Sequence, residues 1–128
     1  MIYGIGADIV CVARLERSLA RYGERFAARI LSDAELTEFR RTLKPAHFLA
    51  RRFAAKEAAA KAMGTGFVDG LRLRHIEVSH NRQGKPQLRF SGRALDFVLA
   101  RRIRAAHISL ADEADHAVAF VTLEVGSL

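Results

Sequence analysis

The segment HFLARRFAAKEAAAKAMGTG, residues 47–66, constrains the fold more than any other stretch of this chain. It is dense in alanine, the strongest helix former, and Pro45 stands where a first helical residue belongs. Gly64 suits the end of a helix. The pattern predicts one long helix over roughly 46–63. On a helical wheel Leu49, Phe53, Ala60 and Met63 form an apolar stripe, and Lys56 falls inside it. Glu57 and Lys61 lie on the edge of that stripe, four residues apart, and so share a face.

The flanking segments read as a mixture. Residues 2–12 are apolar and β-branched and predict a strand, followed by a short helix over 13–22. Ser32 followed by Glu35 has the spacing of a capping box, which starts a helix running to about Arg41. Residues 71–79 and 86–90 read as strands around the turn HNRQGK. Ser91 caps a helix over about 92–102. Residues 104–111 and 116–125 read as two strands around ADEAD. Closely spaced hairpins imply an α+β fold, an antiparallel sheet with helices on one face. A length of 128 residues suits a single domain, 1–128.

The balance of 21 Lys and Arg against 14 Asp and Glu gives a formal charge of +7. Such a surface draws anionic partners: nucleic acid, phosphorylated metabolites or acidic proteins. A nucleic-acid module predicts a continuous basic face with stacking aromatics. Here there is no tryptophan, only two tyrosines, and acids interrupt the basic runs. No apolar run approaches the roughly 20 residues that span a bilayer. The N-terminal MIYGIGADIV carries no basic leader and sets Asp8 in its apolar run, which argues against a signal peptide. Cys11 is the only cysteine. It is read as a small buried hydrophobe, and the whole points to a cytoplasmic location.

Several residues ask for chemistry. A buried ammonium at Lys56 needs a partner or a route to solvent. Glu57 and Lys61 taken alone read as a surface ion pair. Gly64-Thr65-Gly66 is either a helix cap or a turn whose N–H groups approach a phosphate, with Lys61 one turn away. Asp8, within the first strand, calls for an ion-pair partner or a cation such as Mg²⁺. His107 and Ser109 alternate onto one face of their strand. There is no zinc-like cluster, no Walker A loop and no complete dinucleotide fingerprint.

The motifs GIGADIV, RFAAKEAAAKAMGTG, GKP and HISLADEADHAVAFV occur in that order over nearly the whole chain. Together they resemble the holo-acyl-carrier-protein synthases, the short bacterial type of 4′-phosphopantetheinyl transferase. The resemblance implies that family's fold, an antiparallel sheet packed by a long central helix and shorter helices. It implies attack of a serine hydroxyl of apo acyl carrier protein on the β-phosphorus of coenzyme A. Phosphopantetheine is transferred, 3′,5′-ADP leaves, and fatty-acid biosynthesis is served. It implies Mg²⁺ on Asp8 and Glu57, with Lys61 on a phosphate oxygen. Gly64, Thr65, Gly66, Lys85, Pro86 and His107 would line the coenzyme A site, and Lys44 and Arg52 would contact the nucleotide phosphates. The proton acceptor is Glu57 or a water on the metal. Arg14, Arg17 and Arg21, with Arg25 beyond Gly23, would dock the acidic carrier protein. A homotrimer with active sites between subunits is also implied. The chain departs from the family in one place, where Cys11 stands at a position usually held by glutamate. A coenzyme A-binding protein without transferase activity is the competing reading, and it has no need of Asp8 and Glu57.

Overall fold

Alternation in the first strand sets the architecture. In the computed structural model, which describes residues 1–126, strand β1 spans Ile2–Cys11. Its even-numbered residues Gly4, Gly6, Asp8 and Val10 turn inward, and Ile5, Ala7, Ile9 and Cys11 turn outward. β1 pairs antiparallel with β5, His116–Val125, which pairs antiparallel with β4, Ile103–Asp112. The order of this three-stranded sheet is β1-β5-β4. A second, two-stranded sheet joins β2, Ile76–His80, to β3, Pro86–Phe90. The single sheet expected from the hairpins is therefore two.

Helix α4, Pro45–Met63, lies across the inner face of the larger sheet. The approach is close because two inward residues of β1 are glycines. A Cβ on Gly4 would fall 2.0 Å from the carbonyl oxygen of Ala62, and one on Gly6 2.0 Å from that of Ala58. Helices α1, Val12–Tyr22, α2, Glu24–Ile30, and α3, Asp33–Phe39, close over the far side together with β2. Hence α4 is buried almost all round rather than along one stripe. Its alanines let neighbours approach from every side, and Phe53 is only half-buried. No helix among the described residues is long and apolar enough to cross a membrane.

Other departures have local causes. Helix α2 was not expected, and Gly23 at φ +66° both ends α1 and starts it. The strand expected over 71–79 begins only at Ile76. Before it, Leu73–His75 forms one 3₁₀ turn, with Arg74 tied to the Leu31 carbonyl at 2.8 Å. Leu71 is buried from a loop, which imitates strand alternation. Helix α5 runs Gly92–Ala100, and the Ser91 side chain makes no capping bond. Cys11 is exposed, not buried, because it belongs to the outward set of β1.

Candidate active site

Asp8 projects from β1 toward α4 near Lys61. Lys61 Nζ donates to Asp8 Oδ1 at 2.9 Å and to the Ala7 carbonyl at 3.0 Å. Lys61 thus bridges to Asp8 and does not pair with its helical neighbour Glu57. The Asp8 side chain is 17% exposed and that of Lys61 54%. Glu57 is half-buried on the same stretch of α4. Burial pushes its carboxyl above the ordinary glutamate range, and the negative charge of Asp8 adds to this. Lys61 and Arg14 pull the other way. The site is a pair of neighbouring carboxylates with one lysine and one arginine beside them.

A pair of neighbouring carboxylates, in which the charge of Asp8 raises the proton affinity of Glu57, suits a hard divalent cation. Mg²⁺ accepts one or two carboxylates and completes its shell with water and substrate phosphates. No group of three or more metal-ligating side chains occurs among the described residues. The two carboxylates leave room in such an ion's shell for water and phosphate oxygens.

The glycine turn follows Lys61 directly. Gly64 caps α4 in the left-handed region at φ +80°, and Gly66 has φ +64°. Neither glycine would clash if it carried a Cβ, so backbone conformation, not space, requires both. Thr65 Oγ1 donates to the Gly66 carbonyl at 2.9 Å. Thr65 also lines a cavity of about 330 Å³ with Arg93, Asp96, Phe97 and Arg101.

Lys85, Pro86 and His107 meet elsewhere, in a groove of about 690 Å³ between β3 and β4 that Arg89 and Arg104 also line. His107 is exposed on the outward face of the sheet, opposite Thr122, and its Nε2 lies 3.1 Å from Glu124. Asp8 faces inward. Within one chain the sheet therefore separates His107 from Asp8. Lys44, exposed at the start of α4, is a helix length from Gly64, about 30 Å at the α-helical rise.

Arg52 departs from the expected phosphate contact. Its side chain is buried, its Nη2 donates to Glu38 at 3.0 Å, and its guanidinium stacks 4.4 Å over Phe48. Its Nε faces Glu35 at 3.5 Å without making a hydrogen bond. Burial pushes its pKa down, and Glu35 and Glu38 oppose this. Arg52 therefore belongs to a core network, not to an open site.

Glu35 is the centre of that network. One carboxylate oxygen accepts from Lys56 Nζ at 2.6 Å and from the Ser32 N–H at 2.9 Å. The other accepts from the Val78 N–H at 2.9 Å. Lys56 also donates to the Leu73 carbonyl at 3.1 Å. This is the partner that Lys56 required. The capping-box spacing disclosed Glu35 as a cap, but nothing local disclosed its second role.

Arg14, Arg17 and Arg21 are exposed along α1, and Arg25 continues from α2. Arg21 and Arg25 flank a groove of about 530 Å³ with Tyr22, Phe26 and Arg29. Arg14 is close enough to Glu57 to influence its charge, so the basic face abuts the carboxylate pair. Arg29 escaped sequence reasoning because the helix that carries it was not expected.

A family model described as the 4′-phosphopantetheinyl transferase superfamily matches residues 4–121. Holo-[acyl-carrier-protein] synthase of Halorhodospira halophila is 58% identical over 126 residues, 98% of this chain and 100% of that protein. The crystal structure of holo-[acyl-carrier-protein] synthase from Neisseria meningitidis is 43% identical and superposes with a TM-score of 0.92. The match covers 97% of this chain and 99% of that one. The holo-(acyl-carrier-protein) synthase of Bacillus anthracis, solved in complex with CoA (3′,5′-ADP), is 35% identical with a TM-score of 0.81. There the match covers 98% and 99%.

Proposed function

The chain belongs to the 4′-phosphopantetheinyl transferase superfamily, and we propose that its activity is that of a holo-[acyl-carrier-protein] synthase. It transfers 4′-phosphopantetheine from coenzyme A to a serine of apo acyl carrier protein, leaving 3′,5′-ADP. The observation that carries this reading is the convergence of Asp8, Glu57 and Lys61 at the junction of β1 and α4.

In the reaction the serine oxygen forms a bond to the β-phosphorus of coenzyme A. The bond from that phosphorus to the oxygen of the leaving 3′,5′-ADP breaks, and the serine proton is released. Such a transfer depends on positioning and charge neutralisation. Asp8 and Glu57 would hold Mg²⁺, which supplies positive charge to the diphosphate as it splits. Lys61, next to both, is placed to bind a phosphate oxygen. The Gly64-Thr65-Gly66 turn, left-handed at its two glycines, presents backbone at the end of the same helix. Arg14, Arg17, Arg21 and Arg25 form a basic approach that ends at the carboxylates. Complementary charge there would orient an acidic carrier protein and speed its capture.

The finer reading is a homotrimer with its active sites between subunits. Its support is the outward face of the larger sheet, where Ile5, Ile9 and Phe120 are 58%, 64% and 46% exposed. A contiguous apolar patch of this kind marks an interaction surface. His107 lies on that face and Asp8 beneath it, so within one chain the Lys85, Pro86 and His107 groove stays apart from Asp8, and in a trimer the groove of one subunit would serve the Asp8 of a neighbour. Lys44 would enter the coenzyme A site in the same way. The chain is taken as one transferase domain over 1–128, acting in the cytoplasm in fatty-acid biosynthesis.

The test is intact-protein mass spectrometry of apo acyl carrier protein incubated with this protein, coenzyme A and Mg²⁺, with EDTA as control. A metal-dependent gain of one phosphopantetheine is expected. Asp8→Ala should lower turnover by at least about 100-fold, since a lost metal contact removes several kcal/mol of transition-state stabilisation. A folded Asp8→Ala protein with unchanged turnover would overturn the assignment of Asp8 as a metal ligand. No gain of phosphopantetheine with the natural chain, despite bound coenzyme A, would leave a coenzyme A-binding protein without transferase activity.

A further inference from the structure

Lys61 sits on one of the two oxygens of the carboxylate that a divalent cation needs. Its Nζ holds Asp8 Oδ1 at 2.9 Å and is steadied by the Ala7 carbonyl at 3.0 Å. The second bond matters, because a half-exposed lysine on a flexible stem has little reason to keep one position for a single surface ion pair. Asp8 is largely shielded from water, which strengthens its attraction for whichever cation reaches it. An ammonium on Oδ1 repels a divalent ion at either oxygen of the same carboxylate and so lowers that ion's affinity. Lys61 reaches past Glu57 to β1 and holds Asp8 instead. Arg14 is the remaining cation near Glu57.

We propose that Lys61 is a built-in counter-ion that closes Asp8 to divalent metal until a substrate diphosphate draws it away. Metal and coenzyme A then bind with positive coupling. Without substrate, Lys61 competes for Asp8 and metal affinity is low. When a phosphate oxygen takes over the ammonium, Asp8 is freed and the phosphates supply the missing metal ligands. By reciprocity, bound metal raises the affinity for coenzyme A through the same displacement. The inference rests on the reading of Asp8 and Glu57 as metal ligands. It makes Lys61 the link between the two binding events, in addition to its phosphate contact.

The experiment reads Mn²⁺ binding directly, by electron paramagnetic resonance of the free ion, with and without coenzyme A. The proteins are the natural chain, Lys61→Gln, Lys61→Met and Asp8→Asn, each checked for fold by circular dichroism. Both Lys61 variants should bind Mn²⁺ alone at least about fivefold more tightly than the natural chain. Their gain in Mn²⁺ affinity on adding coenzyme A should shrink. If both bind Mn²⁺ alone as weakly as the natural chain, or more weakly, the counter-ion proposal is overturned while the metal-ligand reading stands. If the natural chain binds no Mn²⁺ even with coenzyme A, or Asp8→Asn leaves its affinity unchanged, the metal-ligand reading fails and the proposal falls with it.

Discussion

At the scale of single residues, Glu57 is the most informative titratable group. Its pKa is raised, first by burial and then by Asp8. As pH rises from the ordinary glutamate value of 4.5, the unfolded chain gives up this proton before the folded one does. The folded state then holds more protons, so stability falls with rising pH across that window and stays lower above it. Glu57→Gln should therefore melt at a higher temperature than the natural chain in metal-free buffer near neutrality. The two should converge below the glutamate range, and thermal scans in EDTA across pH would read this. Cys11 teaches a different lesson at this scale. Its apolar character suggested burial, but the side of the strand, not the residue type, decides exposure.

Among elements, the decisive object is α4 and what holds it. Gly4 and Gly6 let β1 lie against its backbone, which is why Lys61 can reach Asp8 at all. On the opposite side Glu35 joins the start of α3, the Lys56 ammonium and the edge of β2. Lys56 and Arg52 are both buried, and burial pushes both pKa values down while Glu35 pushes back. Glu35→Ala would strand a buried ammonium and weaken the hold on Arg52. Breaking such a pair costs about 3–5 kcal/mol, so the urea midpoint should fall steeply. Glu35→Gln keeps the shape and part of the bonding and should lose less. The capping box was legible because Ser32 and Glu35 are three residues apart. The ion pair to Lys56 was not, because its partners lie 21 residues apart.

For the whole molecule, the proposed function assigns a role to two surfaces beyond the carboxylate pair. The outward sheet face should mediate trimer formation, and Phe120→Glu at its centre should yield a folded monomer on light scattering. Transfer activity should fall with it, because His107 and Asp8 face opposite sides of one sheet. The basic face on α1 and α2 should govern capture of the carrier protein. Reversing Arg14 and Arg21 to Glu should raise the KM for carrier protein at least about tenfold and leave the KM for coenzyme A nearly unchanged. Added salt should weaken the natural chain's capture in the same direction. A larger effect on coenzyme A than on carrier protein would rule out the docking role.

By itself the sequence determined what depends on near neighbours. Alanine content with Pro45 and Gly64 set the long helix, alternation set β1 and the last two strands, and the order of motifs disclosed the family. Only the tertiary structure decided which charges meet. Lys61 chose Asp8, 53 positions away, over Glu57, four away, because α4 packs flush on the glycines of β1. Arg52 was turned into the core by Glu35 and Glu38. The sheet register put His107 and Asp8 on opposite faces, which local spacing cannot show, since a strand's faces acquire an inside only when something packs against one of them.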